Sequence, residues 1–158
     1  MSLESAREYL KAFGMGDRIL ELPVSSATVP LAARAIGCEE ARIAKTMSFD
    51  VQGETVLVVA AGDRKIDNGK FKRCFSAKAK MLPPDQVEAR VGHAVGGVCP
   101  FALRENVRVY LDESLRRFDT VYPACGSGNS AVEMTPKELE ETSRAEAWVD
   151  VCKEAENG

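Results

Sequence analysis

Apolar and polar positions along this chain follow two rhythms, and the switches between them mark out its elements. A 3.6-residue period appears first: Ala6, Tyr9, Leu10 and Phe13 share one helical face behind a Ser2 cap, and Gly14 and Gly16 end the run. A second helical stripe, Val29, Leu31, Ala32, Ala35 and Ile36, is opened by Ser25 or Ser26 and stopped by Gly37. A period of two then takes over. Arg42 to Val51 and Glu54 to Ala60 are apolar runs joined at Gln52-Gly53, the clearest hairpin signal in the chain. Arg18 to Leu22, Ala79 to Leu82 and Val107 to Leu111 read as further strands, and Thr120 to Ala124 and Ala131 to Met134 as two more around a turn at Cys125–Ser130. Helices are expected over Asn68 to Phe75, capped by Asp67 or Asn68, and from Pro84 to Val91; Asp112 to Phe118 is a short helix or turn. Thr135-Pro136-Lys137-Glu138 combines a cap, a proline at the first position and a capping-box glutamate, starting a helix that runs to about Ser143. Ala147 to Val151 is a last strand, followed by a polar tail.

Between Gly92 and Leu103 all periodicity stops, and glycine, apolar residues and Pro100 give an ordered loop. Helices and hairpin-like pairs are interspersed without a regular βαβ alternation. The fold class is therefore α+β with a mainly antiparallel or mixed sheet. At 158 residues, positions 1–158 suit one domain with one core.

Composition changes this picture little: 45% apolar and 28% charged residues are ordinary for a globular chain. No apolar run is long enough to span a bilayer, and the charged, amphipathic N-terminus is unlike a secretory signal, so no membrane partner is expected and the cytoplasm is the expected location. Cysteines at 38, 74, 99, 125 and 152 are odd in number and widely spaced, with one histidine in the chain, which fits free thiols and no metal or cofactor. Phosphate-loop, dinucleotide and nucleophile-elbow signatures are missing.

Charge adds a direction. The net charge of −3 argues against a general nucleic-acid or DNA binder. Yet Asp63 to Lys80 holds seven basic residues against two acidic, whereas Glu133 to Gly158 holds three against eight. The basic stretch, with Lys70, Lys72 and Arg73, is a candidate phosphate-facing surface, or else simply solvated.

Four places carry candidate chemistry. Gly92 to Phe101, with Gly96-Gly97 and Pro100, has a tight backbone path able to point N–H groups at a carbonyl oxygen, or is a structural turn. Lys45 lies in the apolar strand Ile43–Phe49, sharing a face with Ile43 and Met47 opposite Ala44, Thr46 and Ser48, and needs a partner, a cleft or a rim position. His93 and Cys99 raise a thiol hydrolase, although no orienting acid accompanies them. Gly126 to Ser130 is a turn able to present Ser127 or Asn129 to a ligand.

Taken in order, Ile43-Ala44-Lys45-Thr46, Val95-Gly96-Gly97-Val98-Cys99-Pro100, Thr120-Val121-Tyr122, Gly126-Ser127-Gly128-Asn129 and Glu133-Met134-Thr135-Pro136 resemble the YbaK/prolyl-tRNA-synthetase-associated editing domain family over roughly residues 17–145. The resemblance implies an α+β fold around a central mixed, barrel-like sheet. It also implies deacylation of tRNA, often of proline identity, that carries Cys, Ala, Ser or Thr. It matches Lys45 to the family's active-site lysine, Thr46 to a polar neighbour, and Gly96 to Pro100 to the loop lining the aminoacyl pocket. Two features depart from relatives: Ala131 stands where some carry an aspartate, and no histidine follows His93. Cys99 also replaces a residue commonly Ser or Pro.

The expected chemistry is ester hydrolysis assisted by the substrate's own ribose hydroxyl, without a protein nucleophile. Lys45 would anchor the tRNA end, and N–H groups of Gly96, Gly97 and Val98 would meet the carbonyl oxygen. Val98, Cys99 and Phe101 would limit pocket size. The expected partners are aminoacyl-tRNA and a synthetase such as prolyl-tRNA synthetase. A non-catalytic tRNA- or synthetase-binding module is the main alternative, with a Cys99/His93 thiol hydrolase behind it.

Overall fold

The computed structural model describes residues 2–155; the Ser2 side-chain cap and the end of the polar tail lie outside the described residues. Five α-helices surround a curled, half-barrel mixed sheet. The helices are α1 (Ser2–Lys11), α2 (Val29–Ile36), α3 (Asn68–Phe75), α4 (Pro84–Val91) and α5 (Pro136–Ser143). The strands are β1 (Ile19–Glu21), β2 (Ile43–Val51), β3 (Glu54–Ala61), β4 (Arg64–Ile66), β5 (Val107–Asp112), β6 (Tyr122–Pro123), β7 (Ser130–Val132), β8 (Ala147–Val149) and β9 (Cys152–Glu154). The central sheet runs β6-β2-β3-β5-β8, antiparallel at β2–β3 and parallel elsewhere.

The hairpin at the centre forms where the alternating runs meet. Gln52 and Gly53 both take positive φ, 53° and 88°, the turn geometry that matches strand twist across two residues. Strand β3 is buried on both faces, which explains its unbroken apolar run. Leu57, Val59 and Ala61 pack with Ala6, Leu10, Val87, Val91 and Leu139 from α1, α4 and α5. Val56, Val58 and Ala60 face Phe71 of α3 and Val151. Local caps behave as their chemistry requires: Asp67 accepts from Lys70 N–H, and Thr135 and Glu138 close a full capping box.

Several expectations change. Thr28, not Ser25 or Ser26, caps α2, because Pro30 is at the start of the helix and Ser25 instead accepts from Ala27 N–H. Ala79 to Leu82 is no strand but touches Phe49 through a single bridge at Met81. The two strands around the Cys125–Ser130 turn meet only through isolated bridges; β6 docks on β2 and β7 on β1. The last strand stops at Val149, because Val151 turns inward with its N–H bonding the buried Asp112 carboxylate, and β9 forms in what was expected to be polar tail. Strand β9 then pairs with β4, setting Arg64 opposite Glu154. The basic and acidic stretches are therefore neighbours rather than opposite ends of the molecule.

Candidate active site

A cavity of about 270 Å³ opens beside the outer edge of β2. Its wall takes Ala44, Thr46 and Ser48 from β2, Ser26 to Val29 at the start of α2, Met81, Leu82, Pro84 and Val87 around α4, Val95, Gly96 and Val98 from the loop, and Ala124, Ser130 and Ala131 near β7. Small and aliphatic side chains dominate, hydroxyls of Ser26, Thr28, Thr46, Ser48, Tyr122 and Ser130 are interspersed, and among the described residues no carboxylate lines it. Met81 and Val95 are 59% and 64% exposed, an apolar rim at the mouth. The Thr46 hydroxyl is buried in the wall and has no hydrogen-bond partner among the described residues.

Lys45 borders the cavity, but its ammonium donates to the Arg64 carbonyl on β4, beside Asp63 and Cys152, none of which lines the cavity. Strand alternation produces this split, with Lys45 on the side of Met47 and Phe49. Burial holds its pKa below the ordinary lysine value, partly offset by Asp63.

The loop divides likewise. Gly96 and Val98 are cavity wall, and Gly96 takes φ of +94°. Gly97 is not: its N–H donates to Ala94 O, and an added Cβ would lie 2.7 Å from Ser127 N. Its small size serves loop-to-loop packing, so the expected oxyanion contact from its N–H is withdrawn. Cys99, Pro100 and Phe101 are buried behind the wall and reach the pocket only by supporting Val98.

His93 and Cys99 do meet, with Sγ 3.4 Å from Nε2. Nε2 also lies 2.6 Å from the Phe101 carbonyl, which can only accept, so Nε2 carries the hydrogen. That nitrogen cannot take a thiol proton, and the other, Nδ1, is buried without a partner among the described residues. Burial pushes the Cys99 thiol far up and the His93 pKa down. A buried, protonated thiol beside a ring nitrogen that already holds hydrogen is packing, not a nucleophile.

Ser127 and Asn129 bond each other, and Asn129 Nδ2 donates to Leu22 O at 3.1 Å. They brace the turn that carries Ser130 and Ala131 rather than line the cavity themselves. Lys70 is tied to Asp150 and the Cys152 carbonyl, each at 3.0 Å, while Lys72 and Arg73 are exposed. Sequence reasoning missed the α2 start, Met81, Leu82, Pro84 and Val87, and Ala124; their only sequence signal was small or aliphatic residues flanking turns. Among the described residues no group of three metal-ligating side chains occurs, and no helix is long and apolar enough to cross a membrane.

A family model described as an aminoacyl-tRNA editing domain matches residues 24–142. The chain is 52% identical over 157 residues to the uncharacterized protein YwhH of Bacillus subtilis (strain 168), covering 99% of this chain and 100% of that one. It is 37% identical over 87 residues to a proline–tRNA ligase of Leuconostoc citreum, covering 54% of this chain but 15% of the ligase, so it corresponds to one segment of that larger enzyme. A candidate Cys-tRNA(Pro)/Cys-tRNA(Cys) deacylase of Enterococcus faecalis, EbsC, is 27% identical over 110 residues, 68% of this chain and 66% of EbsC. The crystal structure of a candidate trans-editing enzyme for prolyl-tRNA synthetase superposes with a TM-score of 0.87 at 30% identity, covering 96% of this chain and 97% of that one.

Proposed function

The chain belongs to the aminoacyl-tRNA editing domain family, and from that premise we propose that it hydrolyses the ester of a small, wrongly attached amino acid on a tRNA of proline or related identity. The observation that carries this reading is the cavity itself. At about 270 Å³ it lies below the usual range for whole small-molecule ligands, ~300–1,000 Å³, and suits an aminoacyl group while the nucleotide stays outside. Its aliphatic wall discriminates by size. One methylene is worth only ~1–3 kcal/mol of pocket affinity, so a synthetase cannot reject near-isosteres by binding alone, whereas a tight second pocket excludes the larger correct residue by clash.

The chemistry asks little of side chains. The amide N–H groups of Gly96 and Val98 bond no acceptor among the described residues and would polarise the ester carbonyl and stabilise its oxyanion. The attacking water would be oriented by the neighbouring ribose hydroxyl of the substrate, since the cavity wall offers no carboxylate, imidazole or thiol base. Lys45 would exchange the Arg64 carbonyl for a phosphate or ribose oxygen of the tRNA end as it docks. Lys72 and Arg73 would face the acceptor stem. We place the protein in the cytoplasm, acting on free aminoacyl-tRNA or alongside a synthetase such as the prolyl enzyme.

Deacylation of tRNA(Pro) charged with Cys, Ala, Ser, Thr or Pro, by wild type and Lys45→Ala, tests the reading. Release of one small residue by wild type, with Lys45→Ala slowed at least about tenfold, is expected. Retention of tRNA with no release from any member would make the protein a binding module instead. A Lys45→Ala rate within about twofold of wild type would remove the lysine from the mechanism.

A further inference from the structure

We infer that a one-residue gap in the outer edge of β2 seats the aminoacyl group, and that this gap admits only a single amino acid whose α-amino group is free. The inference rests on the deacylase reading above and goes further, to what the substrate's nitrogen can carry.

The gap follows from the register. The two-residue turn pairs Val51 with Glu54, so odd-numbered residues of β2 turn their peptide groups toward β3 and even-numbered ones turn theirs outward. The outward groups find partners on both sides of the gap. Asp50 N–H donates to Lys80 O at 2.8 Å, and Ser48 O accepts from Leu82 N–H at 3.0 Å. Ala44 lies against Pro123 of β6. Between Ala44 and Ser48 only Thr46 faces outward, and neither flanking segment reaches it. The segments that bound the gap, at Ala124 on one side and Met81-Leu82 on the other, both line the cavity, as does Thr46. The cavity thus opens onto the Thr46 peptide, whose N–H and carbonyl are both unpaired among the described residues, with the Ser48 N–H beside it as a further free donor.

Backbone groups sheltered from water need partners. An amino-acid ester brings the complementary pair. Its α-ammonium donates to the Thr46 carbonyl, and its ester carbonyl accepts from the Thr46 N–H, sharing that oxygen with the loop donors. The substrate then stands in for one residue of a missing strand. With no carboxylate in the wall, a carbonyl and nearby hydroxyls are the acceptors an ammonium meets. Ala44 and Ser48 lie two residues to either side of Thr46, about 7 Å away in each direction, which leaves room for one residue. An N-acyl group or a preceding peptide would continue along the edge into Pro123-Ala124 or Met81-Leu82. It would also cancel the positive charge that strengthens the bond to the carbonyl.

The test uses tRNA(Pro) charged with Cys, Ala, Ser or Thr, each with its amino group free and N-acetylated. For the residue that is released, N-acetylation is expected to lower kcat/KM at least about tenfold. Thr46→Val keeps the peptide and loses the hydroxyl, so the ratio between free and acetylated substrates should stay within about twofold of wild type. Equal rates on the two forms would overturn the inference and leave the deacylase reading standing. Loss of the ratio in Thr46→Val would assign the selection to the hydroxyl and overturn it as well. Release from none of the free substrates would overturn the deacylase reading beneath it.

Discussion

The Gly92–Leu103 loop and strand β2 border the same cavity but offer it opposite things. The loop turns its reactive side chains away: His93 and Cys99 are fully buried and converge on the Phe101 carbonyl, leaving Val95, Gly96 and Val98 at the wall. The strand does the reverse with its backbone, exposing the peptide of Thr46 where the ladder is interrupted and sending the Lys45 ammonium to the far side. The histidine and the cysteine of the loop are scaffold here, and the cavity wall is made largely of main chain and small side chains. Such a site suits a reaction in which the substrate supplies its own hydroxyl and the protein supplies placement.

The loop side breaks most easily at Gly97. An added Cβ would stand 2.7 Å from Ser127 N and 2.8 Å from Gly126 C, both backbone atoms that cannot step aside. Gly97→Ala should cost about 1–3 kcal/mol by overpacking, lower the thermal midpoint by several degrees, and reduce deacylation because the wall at Gly96 and Val98 shifts with it. Urea and thermal denaturation measure the first effect. Unchanged stability with lost activity would instead make Gly97 a substrate contact and erase the division of the loop.

The strand side is sharpened by Lys45→Met and pH. Burial lowers the Lys45 pKa below its ordinary 10.5, so between the lowered value and 10.5 the unfolded chain holds more protons than the folded one. Stability from this group therefore rises with pH across that window and carries the full burial cost below it. The stability difference between wild type and Lys45→Met, followed by urea denaturation from about pH 8 to 10.5, should move in favour of wild type as pH rises. A flat difference would place the ammonium in solvent or in the open cavity and dissolve the two-faced description of β2.

What was legible in the sequence was local. Gln52-Gly53 wrote the hairpin, Thr135 to Glu138 wrote the start of α5, and the alternation around Lys45 put it on the face of Met47, opposite Thr46 and Ser48. Pairings between distant segments were not legible: nothing in Arg64 to Ile66 specifies Cys152 to Glu154 as its partner, because a three-residue strand gains its stability from the neighbour it finds. The site was half visible for the same reason. Lys45, Thr46, Gly96 and Val98 stood out by type or motif. Ala124, Ala131, Leu82 and Val87 are ordinary core residues until the fold sets them around one space. Cys99 and Phe101 misled in the other direction, since adjacency in sequence to a wall residue says nothing of which way a side chain turns.

The smallest effect lies outside both regions, on α3, where the two stretches of opposite charge have come together. Lys70 is occupied by Asp150 and the Cys152 carbonyl, so Lys70→Glu should act on stability through the β4–β9 end of the fold. Lys72 and Arg73 are exposed and form no ion pair among the described residues, leaving their charge available to a phosphate backbone. The double change Lys72→Glu and Arg73→Glu should raise KM for charged tRNA about three- to tenfold at ~50 mM salt, leave kcat near wild type, and shrink toward no effect by ~500 mM salt, because contacts to phosphate are paid back by counterion release only when salt is low. Neither side chain lines the cavity, so a fall in kcat at unchanged KM could not come from the aminoacyl site directly. An unchanged KM at low salt would take α3 off the path of the tRNA and leave the cavity rim, Met81 and Val95, as the surface across which the acceptor end must enter.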